Sequence, residues 1–358
     1  MGMKYNFGAG PGKLAKEVLA EAAAAVQNFN NTGLSILEIS HRSEHFIEVL
    51  NETEQLARQL LAVPDTHDII FLQGGASSHF AMVPMNLLPD DGTAIYLDTG
   101  MWSSKAIAEA KKFGRVSVVA SSVNADYSFY PKGFTVPKDA AYYHFTSNNT
   151  IYGTGTFETP QVDIPLVCDM SSDIFSRVID VSAYSLIYAG AQKNTGPAGM
   201  TLVIIKKGIL GRTGRDIPTI FDYGVHVANR SLYNTPAVYS IYVTMLNLRW
   251  LAAKGGVSVI EQENIRKAAL LYQEIDDNPL FSGTARKEDR SRMNVTFVMK
   301  SKDLEYEFSA FASQRGIVGI AGHRHVGGFR ASLYNAVDLK AVEFLVETMR
   351  EFTRIKQY

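Results

Sequence analysis

The sequence predicts an α/β protein: a large domain on a mostly parallel sheet of the seven-stranded type covered by helices, followed by a smaller α+β domain. Three observations predict it. The chain has 358 residues, more than one ordinary hydrophobic core accommodates. Between residues 68 and 205, short apolar runs without clear alternation of polarity are interleaved with helical patterns, the mark of strands buried on both faces. After Pro236 the pattern changes to long helices and then a shorter alternation of strand and helix.

Residues 14–29 are alanine-rich with apolar residues at helical spacing. Residues 44–62 predict a second helix, with Phe46, Val49, Leu50, Leu56 and Leu60 as its apolar stripe. Strand 68–72, helix 78–88, strand 94–97, helix 103–113 and strand 116–120 come next, then strands 142–145, 166–169, 185–188 and 201–205. Residues 237–253 read as one long helix, Gly255-Gly256 breaks it, and another helix covers 257–275. Strands 294–299 and 328–333 alternate with helices 304–315 and 337–353. The domain boundary falls near Gly255, giving a large domain 15–255 and a small one made of 1–14 and 256–358. There is no internal repeat and no low-complexity segment.

Composition narrows the function. Hydrophobic residues make up 46% and charged residues 20%, and the formal net charge is -1. Nothing in that balance suggests a nucleic-acid surface, so any basic cluster is local. The single cysteine, Cys168, excludes an intramolecular disulfide and a multi-cysteine zinc site, and its apolar strand makes it a small core residue. No stretch resembles a signal peptide, Asn6 stands where myristoylation requires Ser or Thr, and no apolar run has the length of a membrane span. The expectation is a soluble, cytoplasmic protein.

The chemistry is carried by Tyr188-Ala189-Gly190-Ala191-Gln192-Lys193-Asn194, which holds a lysine between apolar runs. Desolvating an ammonium lowers its pKa, as a Schiff-base lysine requires. Upstream, Val167-Cys168-Asp169 ends an apolar strand in a carboxylate. A lysine for an aldehyde and an aspartate for a pyridinium nitrogen together mark pyridoxal-phosphate enzymes, and the large domain is then the cofactor-binding one.

Other motifs are weaker alone. Gln73-Gly74-Gly75-Ala76-Ser77-Ser78 ends a strand in glycines and opens a helix, a place where backbone N–H groups bind phosphate. It reads equally as a plain turn with Ser77 or Ser78 as N-cap. Trp102, at a strand-to-helix turn, is placed to stack on a flat ring or to anchor packing. Thr150, in Asn148-Asn149-Thr150-Ile151, offers a hydroxyl at another strand end. His41-Arg42 and His323-Arg324-His325, with Arg330 further on, suggest a pocket for a dianion or a set of solvated surface residues. No closed ligand set makes His41/His45 or His323/His325 a zinc site.

Together these motifs resemble the phosphoserine aminotransferase family, a fold-type I, class V group of pyridoxal-phosphate aminotransferases. The resemblance runs from Asn6-Phe7-Gly8-Ala9-Gly10-Pro11 through Ile39-Ser40-His41-Arg42, Phe71 to Ser77, Val83 to Leu88, Asp169 to Asp173, Tyr188 to Asn194, Asn234-Thr235-Pro236 and Gly322-His323-Arg324, to Gly327 to Ala336. It implies that Lys193 bonds pyridoxal 5'-phosphate, that Asp169 pairs with the ring nitrogen, that Trp102 stacks on the ring and that Thr150 bonds the ring hydroxyl. The Ala76 and Ser77 amides and Gln192 hold the phosphate, and Asn234 and Thr235 complete that site from a second subunit, so a homodimer is implied. His41, Arg42, His323 and Arg324 grip the substrate phosphate or the glutamate side-chain carboxylate, and Arg330 the α-carboxylate.

The implied reaction is ping-pong transfer of an amino group from L-glutamate, leaving 2-oxoglutarate, to 3-phosphohydroxypyruvate, giving O-phosphoserine for serine biosynthesis. 4-Phosphohydroxythreonine of pyridoxine biosynthesis is a further candidate. Two departures stand out. Ser77 replaces an arginine that some members carry, and Asn149 stands in a run that is commonly Asn-Glu-Thr-Ile. The alternatives are another class V aminotransferase acting on small uncharged amino acids, and a non-catalytic protein that binds the cofactor. Cysteine desulfurase chemistry lacks its loop cysteine. NAD or ATP binding lacks both a Gly-x-Gly-x-x-Gly run and a P-loop.

Overall fold

The structure is a computed structural model, and it describes residues 4–324 and 326–357. Its centre is a seven-stranded sheet. From one edge the strands run His67–Gln73, Met200–Lys206, Leu186–Gly190, Leu166–Asp169, Tyr142–Thr146, Thr93–Asp98 and Arg115–Ser121. All lie parallel except Met200–Lys206, which is antiparallel to both neighbours.

The lack of alternation in these strands has a direct cause. Successive residues point to opposite faces, and both faces are covered. Ile69, Phe71, Cys168, Ile187, Leu202 and Ile204 enter one core. Their neighbours Ile70, Leu72, Val167, Leu186, Val203 and Ile205 enter another.

The first core is covered by helices Lys16–Gln27, Glu44–Leu60 and Val238–Ala253. Ser43 caps the second of these, its Oγ accepting from Phe46 N, a contact that offsets one unpaired helix-end donor and contributes about 1 kcal/mol. The buried stripe of that helix is Phe46, Val49, Leu50, Thr53 and Ala57, so Leu56 and Leu60 sit only at the margin of the core. Helices Ala76–Leu87 and Met101–Ala110 pack on the other face.

Gly255 and Gly256, both at positive φ, end the helix Val238–Ala253 and start the helix Gly256–Asp277, conformations that only glycine adopts without strain. A further core then forms on the antiparallel sheet of Phe281–Gly283, Asn294–Met299 and Phe329–Ser332, covered by Gly256–Asp277, Lys302–Gln314 and Leu339–Gln357. Rings of Phe281, Phe297, Phe308, Phe329 and Phe352 meet edge-on or stacked at 5.1–5.8 Å, and each fully buried ring stabilises the fold by about 2–3 kcal/mol. The N-terminus joins this core: Tyr5–Asn6 pairs in parallel with Ile317–Val318, and Phe7 is fully buried there.

Candidate active site

Sheet register brings the chemistry to one edge. Thr146 pairs with Asp169, Asp169 with Tyr188, Gly190 with Thr201, and Gln73 with Met200. The carboxyl ends of parallel strands thus converge, as ligand sites in open α/β sheets do.

Lys193 lies in a tight turn after Leu186–Gly190, where Lys193 N and Gly196 N both donate to Ala191 O at 2.8 Å. Its Nζ donates to Thr150 Oγ1 at 2.9 Å. Burial lowers its pKa to about 8, against an upward pull from Asp169, and Arg330 lowers it further. The main chain of Thr150 accepts from Arg330 Nη1 at 3.3 Å, so one threonine spans the lysine and the guanidinium. Asp169 is buried, and its Oδ1 accepts from Ser171 N at 2.9 Å and Ser171 Oγ at 2.6 Å. Burial raises its carboxyl above the usual range, while Lys193 and the Ser171 bonds pull it down.

The helix Ala76–Leu87 opens beside this cluster. Gly74 takes φ +94°, and Gly75 is the N-cap without any side-chain cap. Neither Ser77 nor Ser78 caps it: Ser78 Oγ instead donates to Gly75 O at 2.8 Å. A Cβ on Gly75 would meet nothing within 4 Å, and one on Gly190 would lie 2.9 Å from Gln192 Oε1 and 3.5 Å from Ala76 N. Gln192 and the Ala76 amide therefore approach the same point beside Gly190, which leaves no room there for a side chain. Asn234 shares a cavity of about 200 Å³ with Gln73 and Ser78, and Thr235 O accepts from Gln73 Nε2.

Trp102 is placed differently from the sequence expectation. Its helix begins at Met101, two residues early, because Ser103 Oγ accepts from Thr99 N at 2.9 Å and Gly100 N at 3.0 Å. The indole Nε1 is buried with no hydrogen-bond partner among the described residues. Asn149 accepts from Thr99 Oγ1 at 3.2 Å and donates to Thr154 Oγ1 at 3.1 Å, tying the Thr150 loop to the turn that carries Trp102.

The two His-Arg pairs have different fates. His323 and Arg324 stand on a loop whose base is fixed by Arg330 N to Ile320 O at 2.8 Å and Gly322 N to Gly328 O at 2.9 Å, so they share a hairpin with Arg330. His325 lies outside the described residues. His41 accepts from Arg42 Nε at 3.3 Å. Among the described residues no hydrogen bond or ion pair joins His41 or Arg42 to Lys193, Arg330 or Arg324. No group of three His, Cys, Asp or Glu side chains there is placed to hold a metal ion.

Several site residues were missed in the sequence. Gly12 N donates to Gln192 O at 2.7 Å, and a Cβ on Gly12 would lie 2.7 Å from the Tyr334 ring and 3.0 Å from Lys193 O. Tyr334 OH donates to Ala9 O at 2.7 Å, and Asn335 N to Asn194 Oδ1 at 2.9 Å. Gly12 lies outside every run singled out in the sequence, whereas Ala9, Tyr334 and Asn335 fall in runs that carry the family resemblance without having been given a role. A cavity of about 560 Å³ between residues 130–138 and 156–163 contains none of these groups. The chemistry of the lysine cluster, rather than cavity size, locates the site.

Residues 4–345 match the class-V aminotransferase family. The chain belongs to that family. It is 53% identical to the phosphoserine aminotransferase of Flavobacterium johnsoniae, over 97% of this chain and 98% of that one. The phosphoserine aminotransferase of Bacillus circulans subsp. alkalophilus superposes with a TM-score of 0.96 at 43% identity, covering 99% of both chains. The pyridoxal-phosphate-bound phosphoserine aminotransferase of Trichomonas vaginalis superposes with a TM-score of 0.93 at 38% identity, over 97% of this chain and all of that one. This aminotransferase is a transaminase, and its cofactor is pyridoxal 5'-phosphate.

The residues present fit that cofactor. Asp169 is a buried carboxylate whose Oδ2 takes no hydrogen bond among the described residues, and a pyridinium N–H would supply its missing donor. The uncapped helix N-terminus at Gly75 offers N–H groups to a phosphate. Lys193, with its lowered pKa, is an amine ready for an aldehyde.

Proposed function

We propose that this aminotransferase moves the amino group of L-glutamate to 3-phosphohydroxypyruvate, forming O-phosphoserine and 2-oxoglutarate for serine biosynthesis. The observation that carries the reading is Lys193, which feels the charge of Asp169 at the strand ends and is joined through Thr150 to Arg330. Phosphoserine aminotransferases at 50–53% identity over nearly the whole chain supply the substrate class.

Pyridoxal phosphate supplies an aldehyde for the amino group and a ring that takes up the electron pair when the Cα–H bond breaks. The chain does the rest. Lys193 would hold the cofactor through its aldehyde carbon, and its amine, when free, would be the base for the Cα proton. A pKa of about 8 leaves a usable share of neutral amine near neutral pH. Asp169 holds the proton on the ring nitrogen. Ala76, Ser77 and Gln192 hold the cofactor phosphate, Thr150 fixes the ring hydroxyl, and Trp102 covers the ring. Arg330 pairs with the α-carboxylate in its planar fork. His323 and Arg324, on the same hairpin, receive the distal phosphate or carboxylate.

A second copy of the chain completes the site. Among the described residues no hydrogen bond or ion pair joins His41 or Arg42 to Lys193, Arg330 or Arg324, and Arg42 and Thr235 are exposed. Their exposure supports a homodimer in which Asn234, Thr235, His41 and Arg42 serve the partner's site. The division into a large unit, 15–255, and a small one, 1–14 with 256–358, belongs to the same reading and is supported by the separate core around Phe7 and Phe297.

The test compares O-phosphoserine with serine as amino donors to 2-oxoglutarate. The expected outcome is turnover with O-phosphoserine at least a hundredfold above serine, since serine leaves a dianion pocket empty, and none with Lys193→Ala. Equal rates would point to a small-amino-acid transaminase. Near-normal turnover of Lys193→Ala would end the assignment of the lysine.

A further inference from the structure

Lys267, in the helix Gly256–Asp277, is only 1% exposed and has no salt bridge to a carboxylate among the described residues. Its Nζ donates instead to three main-chain carbonyls, Leu333 at 3.0 Å, Tyr334 at 3.1 Å and Val337 at 2.9 Å. Burial pulls its pKa down to about 7, while the three acceptors favour the ammonium, since a neutral amine has only two N–H groups. A buried ammonium is costly for stability, and an apolar side chain of similar volume would avoid the cost. An apolar replacement would also leave those three carbonyls without donors, so what the ammonium holds in place is the turn itself.

The turn it grips is a junction. One side continues from Phe329–Ser332, which carries Arg330. From the turn, Tyr334 OH reaches Ala9 O at 2.7 Å in the loop that lies over Gln192 and Lys193. Asn335 N reaches Asn194 Oδ1 at 2.9 Å, the residue after Lys193, and Asn335 Nδ2 donates to Phe175 O at 2.9 Å. Asn264, one helical turn before Lys267, donates to Asn335 Oδ1 at 2.9 Å.

We propose that Lys267 is a positioning residue: by clamping the 333–337 turn it sets the separation between Arg330 and the Lys193 loop, and so the fit of the substrate carboxylate. The inference rests on the proposed role of Arg330. Arg330 holds substrate before and during reaction alike, so its displacement weakens uniform binding and raises KM more than it lowers kcat. Loss of stability alone moves neither parameter of the molecules that remain folded.

The test uses the cofactor-loaded enzyme with Lys267→Met and Lys267→Gln. The expected result is a KM for glutamate and for 2-oxoglutarate raised about tenfold or more, with kcat within about threefold of the parent. The absorbance of the cofactor bound to Lys193 stays as in the parent, and the Asn335 amide exchanges about tenfold faster. A folded, loaded variant with the parental KM overturns the proposal. Failure of both variants to fold also overturns it, because Lys267 is then a stability residue. An unsubstituted enzyme inert toward glutamate would remove the substrate reading instead, and Asn335 amide exchange in the variants would then decide the clamp by itself.

Discussion

At the scale of single residues, the site is a set of charged groups held out of water. Lys193 has a pKa of about 8 because burial opposes its charge, and the unfolded chain returns it to about 10.5. The folded state therefore binds fewer protons between those values, and stability rises with pH across them. Below about pH 8 the penalty is fully present, on the order of 3 kcal/mol. Lys193→Met removes it. In the cofactor-free protein the variant should exceed the parent in stability by more at pH 7 than at pH 10, as read by urea unfolding at both. An advantage that stays constant with pH would mean Lys193 is not desolvated. This residue and Asp169 were legible in the sequence because an ionisable group at the end of an apolar run is rare and chemically demanding. Ser171, Asn335 and Lys267 were not. Their roles come from partners that only folding supplies, such as the Leu333 carbonyl 66 residues from Lys267.

At the scale of elements, two glycines separate folding from binding. Gly75 sits at φ -112°, ψ 174°, a conformation open to any residue, and its Cβ would enter empty space. Gly75→Ala should leave the cofactor-free protein within about 0.5 kcal/mol of the parent, or slightly more stable. Its methyl narrows the space at the helix N-terminus, so cofactor affinity should fall about tenfold or more. A fluorescence titration with pyridoxal phosphate checks this, and unchanged affinity would place the phosphate elsewhere. Gly322 is the opposite case, since a Cβ there runs into the Gly327 carbonyl. Gly322→Ala should cost about 1–3 kcal/mol and spread the hairpin that presents His323 and Arg324. Its KM for 3-phosphohydroxypyruvate should rise severalfold or more, and steady-state kinetics beside a melting curve would show both effects or sink the hairpin's role. The strands of the seven-stranded sheet were readable to within two residues, because burial on both faces leaves unbroken apolar runs, whereas the short strands Tyr5–Asn6, Phe281–Gly283 and Ile317–Val318 were not. The reversed direction of Met200–Lys206 was not readable, because a strand buried on both faces shows the same unbroken apolar run whichever way it points.

At the scale of the whole molecule, the cation set is split. Arg330 reaches the Lys193 cluster through Thr150 and shares a hairpin with His323 and Arg324, while the proposed reading gives His41 and Arg42 to the partner's site. If a second copy supplies them, two damaged enzymes can repair each other. Lys193→Ala and the double variant His41→Ala/Arg42→Ala should each lose most activity alone. Mixed under conditions that exchange subunits, they should regain about a quarter of the parental rate, since half the dimers are mixed and each has one intact site. No recovery from a demonstrably mixed dimer would show that each chain completes its own site.

The sequence by itself determined the α/β class, the cofactor chemistry of Lys193 and Asp169, and most element positions, because these follow from local spacing of apolar and ionisable groups. Only the tertiary structure decided the order of the strands and the reversal of Met200–Lys206. It also decided that Thr150 links Lys193 to Arg330 and that the 333–337 turn reaches Asn194. Contacts between residues more than a hundred positions apart are fixed by packing, and packing leaves no local trace in the order of the residues.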